Sequence, residues 1–213
     1  MLWHPVPATS QPGPLSASQR FDSSGIARHM PMPTIAVLVG SLRRESLNRR
    51  LANAVAATAR DRLSCRFVEI GDLPLYDPDI DHEPPQAWVR FREEVAAADG
   101  VLFVTPEYNR SIPGALKNAI DVGSRPYGHS VFSGKPAAVI TSSPGALGGF
   151  GCNHHLRQCA VFLDMPMMQQ PEAYVGHVGD EQFAPDGTIT DRSLRELVEK
   201  LANAYADWVA LIL

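Results

Sequence analysis

The amino-acid sequence reads as an α/β protein in three layers: a doubly wound, five-stranded parallel sheet with helices on both faces. Short unbroken apolar runs at residues 35–39, 101–104 and 137–140 are the first sign. Strands covered on both faces carry such runs, because neither face meets water. Alternation is the second sign. Helical patterns separate the apolar runs, so that strand and helix alternate about five times. The third sign is length, since 213 residues can bury one sizeable core.

The elements follow in chain order. After the strand at 35–39, Leu47, Leu51, Ala54 and Val55 form a helical stripe. Residues 65–70 are a weaker strand candidate. Trp88, Phe91 and Val95 mark a second helix, and 101–104 the third strand. Leu116, Ala119 and Ile120 mark a third helix, with Pro113 in its first turn, where a missing N–H costs little. The fourth strand is 137–140, and residues 165–168 are a weak fifth. The last helix is the clearest. Leu194, Leu197, Val198, Leu201, Tyr205, Trp208, Val209 and Ile212 keep helical spacing, and Thr190 or Asp191 caps it.

Residues 1–33 stand apart. They hold six of the 18 prolines, several serines and no apolar run, the composition of a disordered extension ahead of a domain at 34–213. The net charge of −4 offers no basic face for nucleic acid, and no segment approaches a transmembrane helix. Three cysteines without a CxxC pair suit free thiols in a reducing compartment, so the expected location is cytoplasmic.

Parallel neighbours require crossovers, and ligands of such sheets bind at the strands' C-terminal ends near the switch point. Three loops qualify. The first, residues 40–48, offers Gly40 for a tight turn, Ser41, Ser46 and Asn48 as short polar groups, Arg43 as a bidentate cation, and a helix start. It reads as a phosphate cradle, against the plainer reading of an N-capped helix with solvated arginines. It is neither a Walker loop nor a GxGxxG fingerprint. The second loop, 105–114, is stiffened by two prolines and a glycine. Tyr108 offers a flat face, and the backbone between Pro106 and Asn109 offers edge hydrogen bonds, the two things a planar heterocycle needs. The third, 142–149, has glycines that let backbone approach a ligand closely.

The stretches GSLRRESLN, TPEYNRSIPGALKNAIDVGSRP and SSPGALGG occur in that order after the expected strands. On these residues the chain resembles the NADPH-dependent FMN reductase family, which includes bacterial quinone and chromate reductases. The resemblance spans residue 34 to the C-terminus and implies a flavodoxin-like fold. It further implies that Ser41, Arg43, Ser46 and Asn48 hold the FMN phosphate. Pro106, Glu107, Tyr108 and Asn109 would line the isoalloxazine, largely through backbone groups, with Ser111 supporting that loop. Ser143, Gly145 and Gly148 would close the other side. NADPH or NADH would be the co-substrate and a quinone, metal oxyanion or similar small molecule the acceptor. No side chain need act as a nucleophile, since the flavin does the chemistry. A homodimer or homotetramer is implied. Gly151 and His154 stand where some members carry Arg and Tyr, so both assemblies stay open.

A flavodoxin-type electron carrier is the competing reading, with the same fold and FMN but no nicotinamide site. The arginine-bearing first loop favours the enzyme, because it suits an anionic nucleotide. A hydrolase is disfavoured by the lack of a G-x-S-x-G elbow. Cys152, His155 and Cys159 at i, i+3, i+7 have the spacing of zinc ligands, but no second cluster accompanies them. The expectation is a packed helix face and no metal.

Overall fold

Each apolar run becomes a strand because it is hidden from water on both sides. The structure, a computed structural model, describes residues 31–213. The strands are β1 (Thr34–Val39), β2 (Ser64–Phe67), β3 (Gly100–Thr105), β4 (Ala137–Ser142) and β5 (Ala173–Val175). The helices are α1 (Leu47–Ala59), α2 (Gln86–Ala96), α3 (Gly114–Gly123), α4 (Phe150–Phe162) and α5 (Arg192–Ile212). All strands are parallel, in the order β2-β1-β3-β4-β5. The extension expected at residues 1–33 lies, as far as residue 30, outside the described residues.

The period of two along each strand divides the core into two layers. Ile35, Val37, Val39, Leu102, Val104 and Ile140 pack with Leu51 and Val55 of α1 and Val198 and Leu201 of α5. Ala36, Leu38, Val101, Phe103 and Val139 pack on the opposite face with Trp88, Phe91, Leu116 and Leu156 from α2, α3 and α4. Every residue of β3 and β4 is buried, which is why those runs are unbroken in sequence.

The chain steps from β1 to β2 in one direction, then returns past β1 to β3, β4 and β5. With right-handed crossovers, that reversal moves the helices from one face to the other. It places α1 and α5 on one side and α2, α3 and α4 on the other. It also opens a crevice where the ends of β1 and β3 diverge.

The fifth strand lies at Ala173–Val175, and the weak candidate at 165–168 is not a strand. Its methionines are apolar because they are core: Met165, Met167 and Met168 are buried. The segment touches the start of β4 through one isolated bridge, Met167 to Ala137. Pairing resumes only at Ala173 opposite Ile140, a register shifted by three residues from the Met167 to Ala137 bridge, so the two stretches cannot form one continuous ladder. The second strand is likewise shorter than the expected 65–70. Pro113 stands one position ahead of the first turn of α3 rather than within it.

Of the two candidate caps for α5, Asp191 takes the role. Its Oδ1 accepts from the Leu194 N–H at 2.7 Å, whereas the Thr190 hydroxyl donates to the Glu181 carbonyl. Asp191→Ala is expected to cost about 1 kcal/mol. Urea unfolding should show a lower midpoint with an unchanged slope.

Candidate functional site

The first loop opens with a contact that only glycine allows. A Cβ on Gly40 would lie 2.1 Å from Thr105 Oγ1, and the Gly40 N–H donates to the Val104 carbonyl at 2.9 Å. The loop is thereby pressed onto the end of β3. The chain then turns into α1, which Ser46 caps by accepting from the Arg49 N–H at 3.1 Å. The N–H groups of Leu47 and Asn48 meet no acceptor among the described residues, so the helix start presents free donors. Ser41 is buried, and Arg43 is exposed. Asn48 is buried, and its Oδ1 accepts from the Ser142 hydroxyl at 2.9 Å.

In the second loop, Tyr108 and Ser111 exchange both backbone hydrogen bonds, at 3.1 and 3.0 Å. Between them Asn109 and Arg110 have φ of 51° and 65°. Two positive φ values in a two-residue connection make a type I′ turn. The turn leaves the Tyr108 ring half exposed. The Ser111 hydroxyl bonds His155 Nδ1 at 2.9 Å, which ties the turn to α4.

Glu107 faces away from solvent. Its Oε2 accepts from the Cys152 N–H at 2.9 Å, and its Oε1 lies 3.6 Å from Arg110 Nη1. The N-cap of α4 is Gly149, with φ of 80° and no capping side chain. Glu107 supplies both the missing acceptor and a negative charge at the helix's positive end. A Cβ on Gly151 would lie 2.8 Å from the Arg110 carbonyl oxygen, so glycine there lets the loop settle on α4. His154 joins Phe150 and Tyr174, with ring centroids 4.2 Å and 6.1 Å away.

The third loop folds around the Gly145 carbonyl, which accepts from Ser143 Oγ at 3.0 Å and from the Gly148 and His177 N–H groups at 3.3 Å each. Gly148 is buried against β5, where a Cβ would lie 2.4 Å from the Tyr174 carbonyl carbon.

The sequence-derived residues thus come from three loops braced at the ends of β1, β3 and β4. Thr105 and Ser142 were not among them, although they supply two of the braces. Their signal was positional: each is a polar residue closing a buried strand. Arg44, Arg49 and Glu69 were also outside the expected set. With Ser41 and Arg43 they line a cleft of about 380 Å³ on the β2 side of the first loop. The Cys152, His155 and Cys159 face divides, with Cys152 in the core and His155 bonded to Ser111. Burial pushes the Cys152 thiol up from 9.0 to about 12, and burial raises Cys65 and Cys159 as well.

Residues 33–180 match the family model described as NADPH-dependent FMN reductase. The chain belongs to the NADPH-dependent FMN reductase family. A quinone reductase of Pseudomonas putida is 56% identical over 179 residues, which is 84% of this chain and 95% of that one. A 2-hydroxy-1,4-benzoquinone reductase of Burkholderia sp is 47% identical over 175 residues, covering 82% of this chain and 95% of its own. The solved FerB flavoenzyme, an NAD(P)H:(acceptor) oxidoreductase from Paracoccus denitrificans, is 41% identical with a TM-score of 0.79. That match covers 83% of this chain and 97% of FerB. The fold is flavodoxin-like. FMN, the flavin of this family, needs anion donors beside an open planar face. The free N–H groups at the start of α1, the exposed Arg43 and the half-exposed Tyr108 meet that requirement.

Two outcomes follow from this geometry. Ser142→Ala leaves Asn48 Oδ1 buried without a donor and should cost about 1–3 kcal/mol in urea unfolding. The Cys152 thiol acts on alkaline stability. Below pH 9 both folded and unfolded chains keep its proton. Above that the unfolded chain loses it while the folded chain holds it to about pH 12, so stability falls as pH rises. The thermal midpoint of Cys152→Ala should therefore decline less steeply than wild type between these pH values.

Proposed function

We propose that the chain is an FMN-dependent NAD(P)H oxidoreductase that reduces quinones or other small acceptors such as metal oxyanions. The convergence of three braced loops on the crevice between β1 and β3 supports this most directly, together with the resemblance to relatives named as quinone reductases.

Bound FMN would supply the redox chemistry, accepting hydride from the nicotinamide and passing electrons to the acceptor. The chain's own groups bind and orient. Ser41, Arg43, Ser46 and Asn48, with the N–H groups opening α1, would hold the phosphate. The Ser46 oxygen already serves the helix, and the Asn48 oxygen serves Ser142. Their remaining donors, the Ser46 O–H and the Asn48 Nδ2, are the groups that would face an anion. Pro106, Glu107, Tyr108 and Asn109 would line the ring. The Glu107 carboxylate is engaged by α4, so its contribution there would come from backbone. Ser143, Gly145 and Gly148 would close the other side, with the latter two shaping the loop. The thiol nearest the site, Cys152, stays protonated at neutral pH and offers no nucleophile.

The natural partner is a second copy, as a homodimer or homotetramer. The exposed Phe150, Val161 and Phe162 on α4 favour such packing. A cytoplasmic location suits the three free cysteines. Among the described residues, no helix is long and apolar enough to cross a membrane.

Arg43→Ala tests the cradle. Losing a charge-assisted bond of about 1.5–3 kcal/mol should weaken FMN one- to two-hundred-fold at most and at least tenfold. Riboflavin, which lacks the phosphate, should bind the variant as it binds wild type. Equal losses for both ligands would sink the assignment. Anaerobic mixing with NADPH or NADH alone should bleach the flavin band; a flavodoxin-type carrier would stay yellow.

A further inference from the structure

The first loop stands between two openings. On one side lies the crevice toward β3 and β4. On the other lies the cleft toward β2, about 380 Å³ in volume. That is the low end of small-molecule sites and suits one nucleotide rather than a whole dinucleotide. Its apolar floor is Val39, Val68 and Ile70, all buried. Its rim carries Arg43, Arg44 and Arg49.

These three guanidinium groups are ion-paired with no carboxylate among the described residues. The next arginine, Arg50, pairs with both Glu45 and Asp180. Arg49 is nevertheless held in place, with its guanidinium 5.0 Å from the centre of the Phe67 ring. Glu69 also lines the cleft, and its Oε1 is engaged by the Ile70 and Gly71 N–H groups at 3.1 and 2.7 Å. Clustered cations that form no ion pair repel one another and favour a multivalent anion, above all a phosphate, whose oxygens match the guanidinium fork.

We propose that this cleft seats the adenosine end of NADPH, with Arg44 and Arg49 gripping its 2′-phosphate and the adenine resting on the apolar floor. Ser41 and Arg43, assigned to the flavin phosphate, also line this cleft, so the two phosphates would flank one loop. The free oxygen of Glu69 accepts from a ribose hydroxyl. The cleft therefore selects NADPH over NADH. The assignment rests on the reading of the chain as an NAD(P)H-dependent flavoenzyme.

The test compares wild type with an Arg44→Gln, Arg49→Gln double variant, each with and without FMN. Isothermal titration uses 2′,5′-ADP and 5′-AMP as probes. Wild type should prefer 2′,5′-ADP, and the double variant should lose about tenfold of that preference for each guanidinium removed. The ratio of kcat/KM for NADPH over NADH should fall by a similar factor. A preference that survives the double substitution overturns the proposal. So does equal weakening of both probes, or FMN displacing 2′,5′-ADP, which would give the cleft to the flavin phosphate. Arginine-dependent binding of 2′,5′-ADP by a protein that retains no FMN would support the cleft and refute the flavoenzyme reading instead.

Discussion

Between the start of α1 and the end of β4, 94 residues apart in sequence, the Ser142 hydroxyl donates to Asn48 at 2.9 Å. Strand β3 lies between β1 and β4, so the bond ties the helix that follows β1 to a strand two places away in the sheet. Both partners are buried. A buried polar group without a partner is costly, so neither can let go without penalty. The bond fixes where α1 begins relative to the sheet. The direction of the free N–H groups at the helix start depends on it.

The other braces work on the same principle, with different chemistry. Gly40 and Gly151 remove side-chain bulk so that backbones meet: one against Thr105, the other against Arg110. Glu107 substitutes for the capping side chain that Gly149 cannot provide. That arrangement withdraws a carboxylate from the crevice, where it would repel an anionic cofactor or co-substrate. Each element of the site is therefore held by a group belonging to another element. Such cross-bracing is how loops hold the fixed geometry that a bound planar ligand requires.

Charge is distributed unevenly around this frame. The chain as a whole is acidic, at −4, yet Arg43, Arg44 and Arg49 gather around one cleft. A local cationic cluster on an acidic protein concentrates anions at one place without making the whole surface sticky to polyanions.

The arrangement of strands was legible because burial on both faces leaves a local mark: residues 35–39, 101–104 and 137–140 are apolar without interruption. The helices were legible from spacing, and the three site loops from their place after those strands. Residues 165–168 misled for the same reason, since burial reads alike whether or not a ladder forms, and the register that β4 offers its neighbour is set by distant residues. Ser46 and Asn48 were visible as polar residues at a helix start. That Asn48 turns one face to Ser142 was not, because the partner lies 94 residues away. The cap by Glu107 and the cleft beside β2 were hidden for the same reason. Local sequence determined which segments are strand, helix and loop, since periodicity and turn chemistry act over a few residues. Tertiary structure decided which side chains brace the site and which face outward, because those contacts form only once distant segments are brought together.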